Sequence, residues 1–250
     1  MDLNSFFEIH RKAAVAFSGG TDSSYLLYAA KKYGADVTAY CAKTAFQPAF
    51  ELEDARKMAG FLNVGLRIVE ADVLSCREVT ENGADRCYHC KKHVFSAILE
   101  SARRDGYDVL LDGTNASDKG ADRPGMRAAA ELEVISPLRL CGLTKTDVRR
   151  LSKEAGLFTW DKPAYACLAT RIETGRMIDG RLLRRTERAE EALREMDFSD
   201  FRVRTVGESA KLQMTEKQIP AVITYRERIL EKLGAEYESV LLDLEVRREQ

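Results

Sequence analysis

Ser18-Gly19-Gly20-Thr21-Asp22-Ser23 follows the apolar run Ala13-Ala14-Val15-Ala16-Phe17 and precedes a helical pattern from Ser24 to Lys32. The order is strand, glycine turn, helix. Backbone N–H groups at such a helix start point at whatever occupies the turn, and the helix dipole favours negative charge there. Gly19 and Gly20 permit positive φ and close approach of the backbone to a ligand. Ser18, Thr21, Ser23 and Ser24 add short hydroxyl donors, and Asp22 is suited either to cap the helix or to help hold a cation. The stretch reads as a cradle for a di- or triphosphate; an ordinary Ser/Gly turn capping a helix is the plain alternative.

The stretch lacks the Gly-Lys-Ser/Thr of a Walker A loop and the spacing of a dinucleotide-binding Gly-x-Gly-x-x-Gly. It resembles the Ser-Gly-Gly-x-Asp-Ser PP-loop of the ATP pyrophosphatase superfamily. That resemblance implies cleavage of ATP between the α and β phosphates and adenylation of a substrate.

Outward from the loop, alternation continues. Ala35 to Tyr40 and Val64 to Val69 read as strands, and Glu51 to Leu62 carries apolar residues at helical spacing. Cys87 to Arg104 reads as a helix, Val109 to Asp112 as a short buried strand ending in Gly113-Thr114-Asn115, and Pro124 to Leu132 as a helix. Thr144 to Gly156 is a helix with Thr144 as N-cap and Gly156 at its end. The expectation is an α/β domain, 1–165, with a parallel sheet covered on both faces. Ligands on such sheets sit at the carboxyl ends of the strands. Ser18, Thr44 and Gly113-Thr114 all follow strands there, Thr44 as a candidate adenine contact. From about Asp161 the alternation loosens. A helix from Asp179 to Glu195, strands at Phe201 to Val206 and Ser209 to Met214, a helix from Glu216 to Leu233 and a strand from Ser239 to Leu244 make a small α+β domain, 166–250.

Bulk composition narrows the class. Of 250 residues 45% are hydrophobic, enough for a core, and 39 Lys+Arg against 40 Asp+Glu leave a net charge of −1. With no global basic field, no nucleic-acid partner is expected. No apolar run approaches the ~20 residues of a membrane span, so no membrane partner is expected. Met1-Asp2-Leu3-Asn4-Ser5 carries no basic leader. Six cysteines in such a chain point to a reduced, cytoplasmic setting and to metal or redox chemistry.

Cys87-Tyr88-His89-Cys90 opens a helix, a position that favours thiolates. By itself a Cys-x-x-Cys is a zinc half-site, a redox pair or half of an iron–sulfur site. Cys167 stands in the irregular segment Asp161 to Arg171 at the domain junction, while Cys41, Cys76 and Cys141 read as core or loop thiols. His89 and His93 lie one turn apart without a third partner. Trp160 reads as a packing residue.

Together, Ser18 to Ser23, Arg86 to Lys91, Asp112 to Asn115, Asp122-Arg123-Pro124-Gly125, Ser136-Pro137-Leu138 and Trp160 to Ile172 resemble the LarE-type ATP-dependent sulfur transferases, in order and spacing over nearly the whole chain. That resemblance implies the chemistry of nickel-pincer nucleotide synthesis. ATP and Mg²⁺ adenylate a carboxylate of pyridinium-3,5-biscarboxylic acid mononucleotide, and a sulfur nucleophile displaces AMP to leave a thiocarboxylate. Members with one cysteine at the Cys167 position sacrifice its sulfur. This chain also has Cys87 and Cys90, as three-cysteine members do, which implies a [4Fe-4S] cluster on Cys87, Cys90 and Cys167 fed by a sulfide donor. The resemblance also implies a homo-oligomer. The chain stops at Gln250, short of the family's usual tail, so a contact from that tail is expected to be missing or supplied elsewhere.

Asp22 is the candidate magnesium ligand, with Asp118 a weaker one. Arg123 belongs to the nucleotide side. Arg171, Arg202 and Arg204 are candidates for the substrate's phosphate and carboxylates, the last two on one side of a strand. Arg181, Arg184, Arg185 and Arg188 form a helical stripe that also fits a solvated face. Three rival functions stay open: the same reaction with a sacrificial Cys167, a tRNA thiolase, and a non-catalytic nucleotide-binding protein with structural zinc.

Overall fold

The computed structural model describes residues 1–118 and 124–247. The chain divides into two compact units. The first comprises 1–79 and 85–162, the second 80–84 and 163–250.

In the first unit the elements run α1 (Leu3–Ile9), β1 (Lys12–Ala16), α2 (Thr21–Lys32), β2 (Asp36–Lys43), α3 (Ala49–Leu62), β3 (Gly65–Glu70), α4 (Arg77–Thr80), α5 (Arg86–Arg104), β4 (Leu110–Leu111), α6 (Pro124–Glu131), α7 (Pro137–Leu140) and α8 (Lys145–Glu154). The four strands are parallel, in the order β3-β2-β1-β4. Val15 registers with Ala39 on one side and Leu111 on the other. Successive strands step one way from β1 to β3, and β4 lies on the opposite side of β1, so loops leaving β1 and β4 diverge around a crevice. The central strand is apolar on both faces, with Ala13, Ala14 and Val15 fully buried. Leu26 and Leu27 of α2 and Met58 of α3 fill one layer, and Phe95, Ile98 and Leu99 of α5 pack over Leu110 in another.

The caps explain where several helices stop and start. Thr144 and Asp147 form a reciprocal capping box on α8. That helix ends at Ala155, and Gly156 follows with φ +69°, the left-handed position that glycine takes without a Cβ penalty.

In the second unit Gly180–Arg194 is α9, Arg202–Val206 β5, Ser209–Gln213 β6, Ile219–Thr224 α10, Arg226–Gly234 α11 and Ser239–Leu242 β7. β5 and β6 pair antiparallel, and β7 lies parallel to β6. Val203, Ala210 and Leu212 face the core with Leu193 and Leu233. Arg202, Arg204, Lys211 and Gln213, alternating with them, lie on the opposite face. One expectation is corrected. The run from Glu216 to Leu233 is not one helix but a 3₁₀ turn (Glu216–Gln218), α10 and α11, with Tyr225 between the two helices. Pro220, which has no N–H for the ladder, sits in the first turn of α10.

The excursion Thr80–Ala84 belongs with the second unit because Asn82 fastens it there. Asn82 is fully buried with φ +56°. Its amide donates to the carbonyls of Glu173 (2.8 Å) and Arg176 (3.0 Å), and its own carbonyl accepts from Gly175 N–H at 2.9 Å. The chain re-enters the first unit at Asp85, two residues before Cys87.

Candidate functional site

A cavity of about 600 Å³ opens in the first unit where the strands end. Its floor is the turn between β1 and α2. Gly19 has φ +70°, and a Cβ there would meet the Ala55 backbone nitrogen at 2.8 Å, so only glycine lets the turn pass under α3. Ser18 N–H donates to Ser23 Oγ at 3.3 Å, closing the loop on itself. Gly20 is the N-cap of α2 and supplies no side chain. The first-turn N–H groups therefore keep no intrahelical or capping acceptor, and Gly20, Asp22 and Ser23 line the cavity beside them. That is an anion site by construction.

Asp22 does not cap α2. Its Oδ1 accepts from Asn115 Nδ2 (3.1 Å), and its Oδ2 lies 2.6 Å from Lys145 Nζ. Lys145 went unnoticed in the sequence; the only signal is its place just after the Thr144 N-cap, and nothing local pairs it with Asp22. Across the crevice Gly113 and Thr114 follow β4. A Cβ on Gly113 would stand 2.8 Å from Ser23 N, so the two loops touch backbone to backbone. Asp112, nearly fully buried, accepts from Thr114 Oγ1 (2.7 Å) and Ser136 Oγ (2.6 Å) and shapes this second loop. Asp22 and Asp118 both line the cavity. Magnesium takes one or two carboxylates plus phosphate oxygens, so this donor set fits it.

The cavity also has apolar walls, formed by Phe17, Tyr40, Ala42, Val94, Phe95 and Ile98. Phosphate donors and apolar walls in one cavity match a nucleoside phosphate. Thr44 is not part of the lining: its hydroxyl accepts from Phe46 N–H at 3.2 Å, while Ala42 and Gln47 on either side do line it. Arg123 lies outside the described residues.

Cys87 lines the same cavity as the phosphate loop. It is exposed, with Arg86 Nη2 3.8 Å from its sulfur; Cys90, three residues along α5 and so on the same face, is half-buried. Two thiols one turn apart at a helix start suit half of an iron–sulfur ligand set. Among the described residues no three His, Cys, Asp or Glu side chains gather as a metal site.

Cys167 belongs to the second unit. It precedes the 3₁₀ turn Leu168–Arg171, and its carbonyl accepts from Thr170 N–H and Oγ1 at 3.0 and 2.8 Å. The expectation that Arg171 meets substrate is corrected. Its guanidinium is fully buried and bidentate on Glu190 (Nε–Oε1 2.7 Å, Nη2–Oε2 3.3 Å), with Nη1 donating to Ala166 O and Thr170 Oγ1. Glu190 also accepts from Tyr165 Oη and Val203 N–H. Arg171 thus holds the backbone beside Cys167 and has little donor capacity left for a ligand.

Arg204 donates Nη1 to Thr170 O at 2.7 Å and Nε to Gln213. The Arg202 side chain makes no hydrogen bond among the described residues, while its backbone pairs with Gln213 in the β5–β6 ladder. Burial, with Arg247, Arg171 and Arg204 close by, holds its pKa down to about 10. Arg171 and Arg247 are paired with Glu190 and Asp200, at 2.7 and 2.8 Å, which leaves Arg202 and Arg204 as the cations of this group with no ion pair among the described residues. Two of the four stripe arginines are engaged in structure: Arg185 pairs with Glu208 (2.5 Å) and covers the Tyr237 ring, and Arg188 is bidentate on Glu236.

Comparison with known proteins adds an independent line. Residues 12–91 match the family model described as queuosine biosynthesis protein QueC. The chain is 32% identical to the pyridinium-3,5-bisthiocarboxylic acid mononucleotide synthase of Lactiplantibacillus plantarum, over 94% of this chain and 86% of that protein. It is 34% identical to the uncharacterized protein slr1717 of Synechocystis, over 87% of this chain and 82% of that one. Similarity to the tRNA-specific 2-thiouridylase MnmA of Thermotoga petrophila is 26%, over 58% of this chain and 52% of that protein.

Proposed function

The chain belongs to the LarE-type family of the Lactiplantibacillus synthase, within the PP-loop superfamily, and from that premise we propose that it is an ATP-dependent sulfur transferase. Its substrate is a pyridinium biscarboxylic acid mononucleotide, on the route to a nickel-pincer cofactor. The observation that carries this reading is one cavity lined both by the Ser18–Ser23 turn with the open start of α2 and by Cys87.

The chemistry follows from what a carboxylate lacks. It is a poor electrophile, and adenylation gives its carbon a good leaving group. The base of ATP would lie against the apolar wall and the phosphates in the turn, and Asp22 and Asp118 would hold magnesium, which would offset the phosphate charge. The substrate carboxylate attacks Pα. An oxygen–Pα bond forms, the Pα–O–Pβ bond breaks, and pyrophosphate leaves with its charge met by N–H donors already in place. A sulfur nucleophile then adds to the acyl carbon and AMP departs. Cys87, Cys90 and Cys167 would hold a [4Fe-4S] cluster, which when bound supplies transferable sulfide renewed by an outside donor. Arg202 and Arg204 take the substrate's phosphate; Arg171 keeps Cys167's segment in place.

The test incubates anaerobically reconstituted protein with ATP, magnesium, sulfide and the biscarboxylate mononucleotide. Expected are pyrophosphate, AMP and a product in which one oxygen has become sulfur, over many turnovers, with stoichiometric iron and sulfide on the protein. No pyrophosphate above background would sink the reading. A protein mass lower by one H₂S after a single turnover would transfer the sulfur source to Cys167 itself.

A further inference from the structure

Along the cavity lining, carboxylates outnumber cations. Asp22, Asp112 and Asp118 are the carboxylates, and Lys91 is the one lysine or arginine among the described lining residues. Each carboxylate is engaged elsewhere: Asp22 by Asn115 and Lys145, Asp112 by Thr114 and Ser136, and Asp118 by the Asn115 N–H at 3.1 Å. Lys91 is half-buried and makes no ion pair or hydrogen bond among the described residues. Its ammonium lies 5.4 Å from the centroid of the Phe95 ring, part of the apolar wall. The next residue, Lys92, is paired with Glu131 at 2.9 Å. Room for the Lys91 stem comes from Gly125 in the first turn of α6, where a Cβ would stand 2.9 Å from Lys91 Cδ. Cys87, Lys91 and Phe95 fall at i, i+4 and i+8 of α5, and all three line the cavity. Lys91 therefore follows Cys87 by one helical turn on the same face.

We propose that Lys91 holds the substrate carboxylate that is activated and then thiolated. Two anionic groups have to meet in this cavity, the phosphate chain and the carboxylate that attacks it. The phosphate chain has the open start of α2 and the Lys145 ammonium beside it. Arg171, expected for the carboxylate, is held by Glu190. A carboxylate entering among Asp22, Asp112 and Asp118 toward a negatively charged Pα needs a cation of its own. Lys91 supplies a compact ammonium with three free donors, next to the thiol that stands on the sulfur side of the reaction. Charge-assisted hydrogen bonds of this kind are about twice as strong as neutral ones. The assignment rests on the sulfur-transfer reading above and deepens it, naming the residue by which this chain tells a carboxylate from its neutral analogues.

The test is calorimetric titration of full-length wild type, Lys91→Met and Lys91→Gln with the biscarboxylate mononucleotide and with its biscarboxamide, in the presence of magnesium and a non-hydrolysable ATP analogue. The biscarboxamide keeps the ring, ribose and phosphate and lacks the carboxylate charge. Wild type is expected to bind the biscarboxylate at least about tenfold more tightly than the biscarboxamide. Lys91→Met should bring the two to within about threefold of each other while holding the ATP analogue as wild type does. A merely structural lysine would weaken both mononucleotides alike and leave their ratio in place. A Lys91→Met protein that melts like wild type and keeps the full preference overturns the assignment, as does wild type without a preference. An ATP analogue bound over about tenfold more weakly by Lys91→Met puts the lysine on the phosphates and overturns it too. Wild type that binds the ATP analogue but neither mononucleotide overturns the sulfur-transferase reading as well. If Lys91→Met fails to fold, Lys91→Gln decides on the same ratio: a lost preference supports the assignment and a kept one overturns it.

Discussion

Lys145 Nζ lies 2.6 Å from Asp22 Oδ2, joining the phosphate turn to a residue 123 positions further along the chain. Both side chains keep some solvent contact, 32% and 25%, so the pair contributes about 1 kcal/mol or less to stability. Its importance is in charge placement: an ammonium stands where a phosphate oxygen and a divalent cation would come. Lys145→Met should lower the melting point only slightly. It should reduce ATP-dependent pyrophosphate release by about a hundredfold, read by a coupled phosphate assay. Full activity in a folded Lys145→Met protein would remove Lys145 from the site.

Two glycines set the shape of the turn. A methyl at Gly19 or Gly113 would stand 2.8 Å from a backbone nitrogen, of Ala55 and Ser23 respectively. Neither backbone can yield cheaply, and overpacking of this kind costs about 1–3 kcal/mol. Gly19→Ala adds left-handed strain at φ +70°. Both variants should unfold at lower urea and bind ATP at least tenfold more weakly. Alanine at Gly34, which also has positive φ but open space around it, should spare nucleotide affinity.

Arg171 and Glu190 form a pair with 0% and 1% side-chain exposure. Removing one partner strands the other charge, at about 3–5 kcal/mol. Glu190→Gln should therefore destabilise the second unit and speed amide exchange at Val203, whose N–H donates to Glu190 Oε1 at 3.0 Å. Exchange in β1 and β2 of the first unit should change little. Unaltered protection at Val203 would contradict this account.

Cysteine accessibility gives a direct probe. Cys87 is exposed, whereas Cys41 is buried and burial pushes its thiol up, as it does at Cys76 and Cys141. At pH 8 iodoacetamide should label Cys87 first and Cys41 last, the rates differing by at least about tenfold. Because Cys87 lines the nucleotide cavity, ATP should slow its labelling and leave Cys76 alone. Peptide mass spectrometry reads both; labelling of Cys87 indifferent to saturating ATP would place the nucleotide elsewhere.

Alkali should unfold the protein from about pH 10 upward. Burial, then nearby Tyr33, pushes Tyr25 to about 12. Burial and the Asp105 hydrogen bond raise Tyr40, and burial and the Glu190 charge raise Tyr165. Unfolded tyrosines ionise near 10.0. Above that value the unfolded chain has lost protons that the folded chain keeps, so stability falls as pH rises. The tyrosine contribution is fully present below pH 10 and drains away toward 12. Urea midpoints at pH 8, 10 and 11 measure it.

Local patterns settled much of this protein in advance. Ser18 to Ser23 between an apolar run and a helix, the Thr144 cap and Cys87-x-x-Cys90 are each complete within a few residues, so spacing and residue type suffice to read them. The inward Val203 and outward Arg202 and Arg204 follow from strand alternation alone. What lay beyond the sequence is who meets whom. Lys145 reaches Asp22 only because α8 docks beside α2. Arg171 was available to a ligand on paper, and burial against Glu190 took it away. Asn82 gained meaning once its amide clipped Thr80–Ala84 to Glu173 and Arg176. Helical and strand periods are short-range properties of a chain. Ion-pair partners and the partners of a single buried amide are set by packing between segments far apart in sequence, and only the tertiary structure decides them.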